Sequence, residues 1–491
     1  MTRSIEQGRR EVQQRMQRVM ALADDARCRP LAEFEGNLWT AMLSLGRALV
    51  SLYLSHQASG PRLEEYRHER RRYRLAEERT DEIGTRFGKV GFSRRVGRQP
   101  EDPRAAADLP IDRDLGLCSG FSLGVVSGAV RLATQMAYKT ARETWREIYE
   151  WAPSPRALMR MVDATGEHAR AFLEQASPPD HDGEVLVIQV DGRGAPMISD
   201  VEHERRCQPH RSSKRGELDR HRRRQRRREY HRPRRAPGKK SKNAKVAVVG
   251  VLYTLRRTSR GLEGPIAKRL CATFESHEAL FVWLHHEACK RGYGRKPSYF
   301  LADGSDHIWR LQKVYFPEAK TCLDWYHVME KLWAAGESLF SSRPELEQWV
   351  ARTAQQLREG AVAEVIDSLK AELQCIPPTG PGNRGRRERL QNTFEYYEEH
   401  QSRMRYNEFL RLDLDIGTGA AEGAVRNLIA MRLDGPGMRW SRQRSERLLH
   451  LRCILVNGQW REFTQYLARL RGFRLPAQPQ PTMPHTAERA A

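Results

Sequence analysis

The sequence predicts a mixed α/β fold in which a sheet-forming segment lies between mainly helical segments. Two observations predict it. Short β-branched apolar runs, such as Val-Leu-Val-Ile-Gln-Val at residues 185–190, cluster in residues 184–330 and alternate there with helical patterns. Apolar residues spaced three or four apart are typical of much of the remaining chain. At ~150 residues per domain, the 491 residues are enough for about three domains.

Residues 1–107 are predicted to form a mainly helical N-terminal region. The spacing of apolar residues over 38–50 indicates a helix, and the charged residues 63–79 are predicted to form a second helix that folds back on it. Residues 84–95 are predicted to be extended, because Phe87, Val90 and Phe92 alternate weakly with other residues.

Residues 108–180 are predicted to form a helical domain. The segment 152–156 breaks one helix and starts another, with Ser154 placed to cap the new helix and Pro155 at a first-turn position. Two helices about a short turn can be either a helix-turn-helix DNA-binding domain or an ordinary helical hairpin, and the sequence leaves both interpretations open.

The segment 184–330 is predicted to be the first part of a sheet-containing core, interrupted by a basic insertion at 202–245. The expected order is strand, strand, strand, helix, strand, helix, strand, at residues 185–190, 246–253, 269–274, 277–290, 298–302, 306–314 and 321–323. Residues 331–412 are predicted to be a helical insertion domain. Residues 413–472 are predicted to complete the core, and the Pro-rich residues 473–491 to form a disordered tail.

The positive charge is concentrated in the basic insertion. The chain carries a formal net charge of +23, and between Arg205 and Lys245 there are 19 Lys or Arg residues against three acidic ones. The densest part, at residues 221–228, has no apolar face that could be buried, so it is predicted to be a flexible arm. Neutralising phosphates releases condensed counterions, so such an arm predicts salt-sensitive binding of nucleic acid.

Export and membrane insertion are not expected. The first residues lack the apolar stretch of a signal peptide, and no run approaches the ~20 apolar residues of a membrane span. The eight cysteines are scattered, and none forms the Cys-x2-Cys pair of a zinc ribbon. We therefore expect reduced thiols and a cytoplasmic location.

Three carboxylates stand out by their positions. Asp191 and Asp303 each follow an apolar β-rich run and precede glycine, and Glu422 lies early in a later helix. If the two strands lie side by side and parallel, both aspartates emerge at one sheet edge. Carboxylates held close together repel each other unless a divalent cation lies between them, and Mg²⁺ prefers such oxygen ligands. The three residues are therefore predicted to hold two Mg²⁺ ions, for which Mn²⁺ can substitute, and to act on phosphodiesters.

Several local motifs are similar to those of a known family. Leu-Ala-Asp-Gly at 301–304, Phe-Pro at 316–317 and Asp324-x2-His327 resemble the Mutator-like pattern of DDE transposases. Gly-Met-Arg-Trp-Ser at 437–441, with Leu-Arg-Cys at 451–453 and Asn-Gly-Gln-Trp at 457–460, resembles the C-terminal signature of bacterial insertion-sequence transposases of the ISKra type. The resemblance covers roughly residues 108–470.

The resemblance implies an α/β ribonuclease-H-like core, like that of retroviral integrases, with an all-helical insertion. It implies a DDE transposase that binds the terminal inverted repeats of an insertion sequence and catalyses Mg²⁺-dependent strand cleavage and strand transfer. The partners would be double-stranded DNA, both element ends and target, and further copies of the chain in a homodimer or larger assembly. The location would be the bacterial cytoplasm, associated with the nucleoid when bound to DNA.

The sequence also predicts residues that support the site or bind DNA. Asp324 competes with Asp303, because it too follows an apolar strand, but Asp324 and His327 are interpreted as an adjunct pair that positions DNA or supports the site. Trp440 is predicted either to stack on a flipped base or to be a core residue. The residues predicted to bind DNA are Arg193, Arg222, Arg223, Arg224, Arg226, Arg227, Arg228, Arg439 and Trp440.

Two other functions remain compatible with the sequence. A structure-specific nuclease on the same fold would cut DNA without joining it. A non-catalytic or domesticated DNA- or RNA-binding protein would use the basic arm alone, with the carboxylates as turn residues, since Asp-Gly is also a common turn pair.

Overall fold

A computed structural model describes residues 5–25, 27–60, 62–102, 104–207, 244–435, 438–470, 473 and 475. The chain divides into two compact units. The first comprises Met1–Phe172 and Gly458–Ala491, and the second comprises Leu173–Asn457. The C-terminal segment from Gly458 therefore groups with the N-terminal region, whereas the sequence pattern placed residues up to 472 in the core.

The first unit combines helices with a three-stranded antiparallel sheet, ordered β1-β2-β3. One end of the sheet packs on α2 through a cluster of buried apolar side chains, Leu54, Ile83, Val90, Phe92 and Ile111. The elements before residue 100 are α1 (Ile5–Ala23), α2 (Leu31–Ala58), β1 (Glu65–His68), β2 (Arg71–Thr85) and β3 (Gly88–Arg98).

The helix predicted over residues 63–79 is wrong, because this segment forms β1 and most of β2. Tyr73 and Leu75 are buried at a spacing of two, whereas Arg72 and Arg74 are exposed. That alternation is the period of a strand, and pairing with neighbouring strands outweighs the helix propensity of the Arg, Glu and Leu residues here. The extended structure expected at 84–95 is confirmed by β3.

Short helices complete the first unit. The break predicted near residue 154 is confirmed, since Ser154 Oγ accepts the Ala157 N–H at 3.1 Å and Pro155 is the first residue of a helix. The remaining helices are α3 (Pro110–Asp114), α4 (Leu123–Gln135), α5 (Tyr138–Tyr149), α6 (Pro155–Gln175), whose last residues belong to the second unit, and α18 (Trp460–Arg469).

One described helix, α2, is long and apolar enough to cross a membrane by length and composition alone. Its Leu54 belongs to the apolar cluster beneath the sheet.

The second unit is built on a five-stranded sheet, ordered β6-β5-β4-β7-β8. β4, β5 and β6 are antiparallel to one another, whereas β7 pairs parallel to β4 and β8 parallel to β7. The predicted order of strands and helices is confirmed, except that one further helix, at Asp200–Cys207, lies between the first two strands. The elements are β4 (Val185–Pro196), α7 (Asp200–Cys207), β5 (Ala244–Thr258), β6 (Gly261–Thr273), α8 (His277–Lys290), β7 (Ser298–Ala302), α9 (Asp306–Tyr315) and β8 (Lys320–Leu323).

Helices follow the last strand, as predicted for residues 331–412, and continue to Val456. The buried hydroxyl of Tyr397 donates to the Val328 carbonyl at 2.8 Å and ties the long helix α13 to α10. A π-helical turn at Arg426–Ala430 continues α15. The helices are α10 (Trp325–Leu339), α11 (Arg343–Glu359), α12 (Val362–Cys375), α13 (Asn383–His400), α14 (Tyr406–Arg411), α15 (Gly419–Val425), α16 (Met431–Leu433) and α17 (Arg442–Val456).

Candidate functional site

The first two predicted site residues lie where the pairing of two adjacent parallel strands ends. Val190 of β4 is in register with Ala302 of β7, so Asp191 and Asp303 come directly after paired residues. Residues 185–190 and 298–302 are all buried, which explains their continuous apolar composition. The parallel arrangement that the prediction required is therefore present: Asp303 follows the last residue of β7, and Asp191 lies beside it in β4, which continues to Pro196 along β5.

A buried amide connects β4 to the helix that carries Glu422. Gln189 is 1% exposed, and its Oε1 accepts the N–H of Ala421 at 3.0 Å. Its Nε2 donates to the Tyr253 hydroxyl at 3.1 Å and to the Gly417 carbonyl at 3.4 Å. Gln189 thus fixes the start of α15 against β4, the strand that contains Asp191. Glu422 itself is exposed.

Asp324 also fixes the start of α15, through Thr418, the residue before this helix. Its Oδ1 accepts the Thr418 N–H at 2.7 Å, and its Oδ2 accepts the His327 N–H at 3.0 Å and lies 2.6 Å from His327 Nδ1. The side chain is 0% exposed. Because both oxygens are engaged and enclosed, Asp324 is arranged as a structural partner of His327, which favours Asp303 as the aspartate available to a ligand.

The carboxylates influence one another electrostatically. Burial raises the pKa of Asp191, and the negative charges of Asp303 and Glu422 raise it further, although the Gly192 N–H, which donates to Asp191 Oδ1 at 2.6 Å, opposes the change. The charges of both other members of the predicted triad therefore act on the Asp191 carboxylate.

His327 is the positive group beside these carboxylates. The hydrogen bond with Asp324 raises the pKa of His327 to about 9, against the effect of burial, and the charges of Asp324, Asp303 and Asp191 act in the same direction. Although burial would raise it, the pKa of Asp324 is lowered by hydrogen bonds from His327 and Thr418. At neutral pH the pair is accordingly an imidazolium and a carboxylate.

The chemistry of the three carboxylates suits a hard divalent cation, because all their donor atoms are oxygens and their charges raise the pKa of Asp191. Their positions form no finished ligand shell, however. Across the described ranges, no group of three or more His, Cys, Asp or Glu side chains is placed to hold a metal ion.

The helical insertion also reaches the site, which the sequence did not reveal. A β-carbon added at Gly304 would overlap Cε2 of Tyr396, so this ring from α13 covers the residue after Asp303. Burial raises the pKa of Tyr396, as do the charges of Asp303 and Asp324, and the phenol stays protonated. The Lys331 Nζ lies 5.3 Å from the centre of the same ring.

The residues predicted to bind DNA have different surroundings. Arg193 is half exposed and pairs with Asp434 at 2.9 Å, and Arg439 is exposed. Trp440 is 7% exposed, donates from Nε1 to the Leu433 carbonyl at 3.0 Å and lies beneath the Arg432 guanidinium. Trp440 is thus buried, as the core interpretation expects, and its contact with DNA stays a prediction. The six arginines of the 202–245 insertion, Arg222, Arg223, Arg224, Arg226, Arg227 and Arg228, lie outside the described residues.

Comparison of the sequence with protein family models gives no match, and no curated protein matches it either.

Proposed function

We propose that this chain is a DDE transposase of a bacterial insertion sequence, with a ribonuclease-H-like core. One observation carries the proposal: β4 and β7 are adjacent and parallel, so Asp191 and Asp303 both come directly after the last residue pair of these strands, and Gln189 ties the helix that bears Glu422 to β4. The order of the five strands, with the fourth beside the first and the fifth beyond it, supports the resemblance. The substrates would be duplex DNA at the element ends and at the target, handled by a homodimer or larger assembly.

Asp191, Asp303 and Glu422 are the residues that would hold two Mg²⁺ ions, or Mn²⁺ in their place. When bound, the ions supply Lewis acidity to the attacking water or 3′-hydroxyl and to the leaving oxygen of a phosphodiester. The shared negative charge around Asp191 favours cation binding. No covalent protein intermediate is required.

The other groups act on the DNA itself. The His327 imidazolium, fixed by Asp324, offers a positive charge to a phosphate beside the carboxylates. The Tyr396 phenol, protonated and covering Gly304, limits the space next to Asp303. Together they restrict where a phosphodiester can lie relative to Asp191 and Asp303.

The test is strand cleavage by the purified full chain on a labelled duplex that carries the DNA flanking the gene, with Mg²⁺ or with EDTA. Asp191→Ala is compared with Asp180→Ala, which removes an exposed aspartate of the same unit. We expect metal-dependent nicking at the flanks and joined products, both retained in the Asp180 variant and lost in the Asp191 variant. Loss of ~10³-fold or more is expected for removal of a metal-activating ligand, since such sites supply several kcal/mol to the barrier.

Other outcomes identify the alternatives. Nicking that depends on Asp191 and Mg²⁺ but never yields joined products indicates a nuclease on the same fold. Tight DNA binding that ignores Mg²⁺, with no cleavage by any variant, indicates a non-catalytic binding protein. Cleavage retained in Asp191→Ala overturns the proposed assignment of the site.

A further inference from the structure

The sheet of the first unit carries a group of arginines at its β1–β2 end, here called the arginine patch. Arg67 of β1 lies directly opposite Arg72 of β2, and Arg74 of β2 lies directly opposite Arg98 of β3. The register is regular through this part of the sheet, so these four side chains share one face. The patch comprises Arg67, Arg72, Arg74 and Arg98 with Arg70 of the hairpin turn, all of them exposed.

Such an arrangement costs stability in the isolated protein. Like charges directly opposite each other on antiparallel strands destabilise the sheet, because their side chains start only ~5 Å apart. Two such pairs follow each other here. Glu65, directly opposite Arg74, offsets part of this repulsion, and a polyanion that lies across the patch would offset the rest.

Acidic residues offset part of the patch. Glu65 lies directly opposite Arg74 and pairs with Arg72 at 2.5 Å, and Glu77 pairs with Arg98 at 2.6 Å. The side chains of Arg67 and Arg70 take part in no hydrogen bond or ion pair with a described residue. Arg70 lies in the turn of the hairpin, where it and Glu69 have φ of 64° and 49°. The left-handed backbone of both turn residues is typical of a tight two-residue hairpin.

The opposite face of the sheet holds the hairpin in place. Tyr66 and Tyr73 stack with ring centres 5.5 Å apart, and the Tyr66 hydroxyl donates to Asp108 Oδ2 at 2.8 Å. A β-carbon at Gly97 would overlap the Tyr66 oxygen, so glycine is what lets this ring pack onto β3. The arginines are therefore presented by a fixed platform rather than by a loose loop.

We infer that the arginine patch binds the phosphate backbone of duplex DNA, in addition to the contacts predicted from the sequence for the 202–245 insertion and for residues 108–180. The inference rests on the proposed function for the choice of DNA as the polyanion. Three strands place the patch over roughly 10 Å, and a duplex carries one phosphate per ~1.7 Å of its axis, so several phosphates come within reach. The β1–β2 ribbon is also narrow enough for a major groove, which is ~12 Å wide.

The test measures binding, without metal, so that it does not depend on catalysis. Full-length Arg67→Ala/Arg74→Ala is compared with Arg9→Ala/Arg10→Ala, which removes two exposed arginines from α1 of the same unit. The affinity for a labelled random-sequence duplex is measured by fluorescence anisotropy in EDTA over a series of salt concentrations. The slope of log affinity against log salt is expected to fall by about 2 in the patch variant, about 1 for each phosphate that an arginine no longer neutralises. The α1 variant is expected to keep the wild-type slope.

Two further arms complete the test. Arg67→Lys/Arg74→Lys keeps the charge and is expected to keep most of the slope, and urea unfolding shows whether the alanine variant is folded. Equal slopes in the patch and α1 variants overturn the inference, as does a loss confined to single-stranded DNA. A slope that depends on the patch in a protein that never cleaves DNA leaves the inference standing while the transposase proposal fails. DNA cleavage by a protein whose patch and α1 variants have equal slopes supports the transposase proposal while the inference fails.

Discussion

Replacing Gln189 by leucine tests whether the amide positions Glu422. The change keeps the size of the side chain and its burial but removes three hydrogen bonds, from Ala421 N–H, to the Tyr253 hydroxyl and to the Gly417 carbonyl. Nothing in the variant replaces these partners, and Ala421 is itself 0% exposed.

The magnitude follows from the groups left unpaired. A buried donor without a partner costs about 1–3 kcal/mol, and a leucine regains part of this by apolar contact, so we expect the free energy of unfolding to fall by about 2 kcal/mol. The effect on activity is expected to be larger in relative terms. Partners that orient metal-binding side chains typically contribute about 10–100-fold to activity, and we expect the rate of Mg²⁺-dependent nicking to fall within that range.

A matched control separates positioning from stability. Gln312 is also a buried glutamine of the second unit, but its amide donates to the Phe316 carbonyl at 2.8 Å within its own helical segment. Both Gln189→Leu and Gln312→Leu are unfolded with urea and assayed for nicking at a temperature where each remains folded. Similar losses of stability with a loss of nicking only in Gln189→Leu support the reasoning. Equal nicking rates in the two variants would refute it.

Two further predictions concern the insertion and a buried ion pair. Gly304→Ala is expected to lower the free energy of unfolding by about 1–3 kcal/mol, because the new methyl group overlaps Tyr396. In a double-mutant cycle, this loss should largely disappear in the Tyr396→Ala background. An unchanged loss would place the clash elsewhere. Asp182→Asn is expected to cost about 3 kcal/mol at pH 7, because the fully buried Arg291, whose Nη2 lies 2.6 Å from Asp182 Oδ1, loses its counter-charge. Burial alone would raise the pKa of Asp182, but hydrogen bonds from Arg291 and Thr254 lower it below 3.8, so this stabilisation is present above about pH 4 and is lost as the pH falls through the lowered pKa. Urea unfolding between pH 7 and pH 3 should therefore show the difference between wild type and variant shrinking in acid, and the exposed Asp180→Asn should show no difference at any pH.

The second sheet could be predicted because its strands are buried on both faces. A run such as residues 298–302, in which every residue is buried, must be apolar, and such runs are visible without knowledge of their neighbours. The ends of these runs then pointed to Asp191 and Asp303. Because β4 and β7 pair in parallel register, Asp191 and Asp303 lie side by side in the fold.

The first two strands of the first sheet could not be predicted, because their local preferences favour a helix. Arg, Glu and Leu are strong helix formers, and residues 63–79 are rich in them. The turn at Glu69 and Arg70 lacks the Asn-Gly or Asp-Gly that usually marks a two-residue hairpin. Pairing with β3, supplied by residues further along the chain, decides the outcome.

The carboxylates of the site were visible in the sequence, but the groups that support them were not. Gln189 contacts residues more than 200 positions away, and Tyr396 reaches Gly304 from a helical insertion. The one signal for Gln189 was a single amide in an otherwise apolar run, since a buried amide needs partners. Nothing in the sequence marks Tyr396, because its neighbour depends on how the insertion packs.

The π-helical turn at Arg426–Ala430 makes this segment tolerant of one particular change in length. A π turn holds about one residue more than an α-helical turn, so it absorbs that residue without rotating the helix that follows. Deleting one residue within the turn would therefore restore α-helical spacing and keep the later residues in phase. Arg432 and Leu433, now 1% and 0% exposed, would stay in the interior. The turn is thus the place between Glu422 and Trp440 where the chain should accept the loss of one residue most readily.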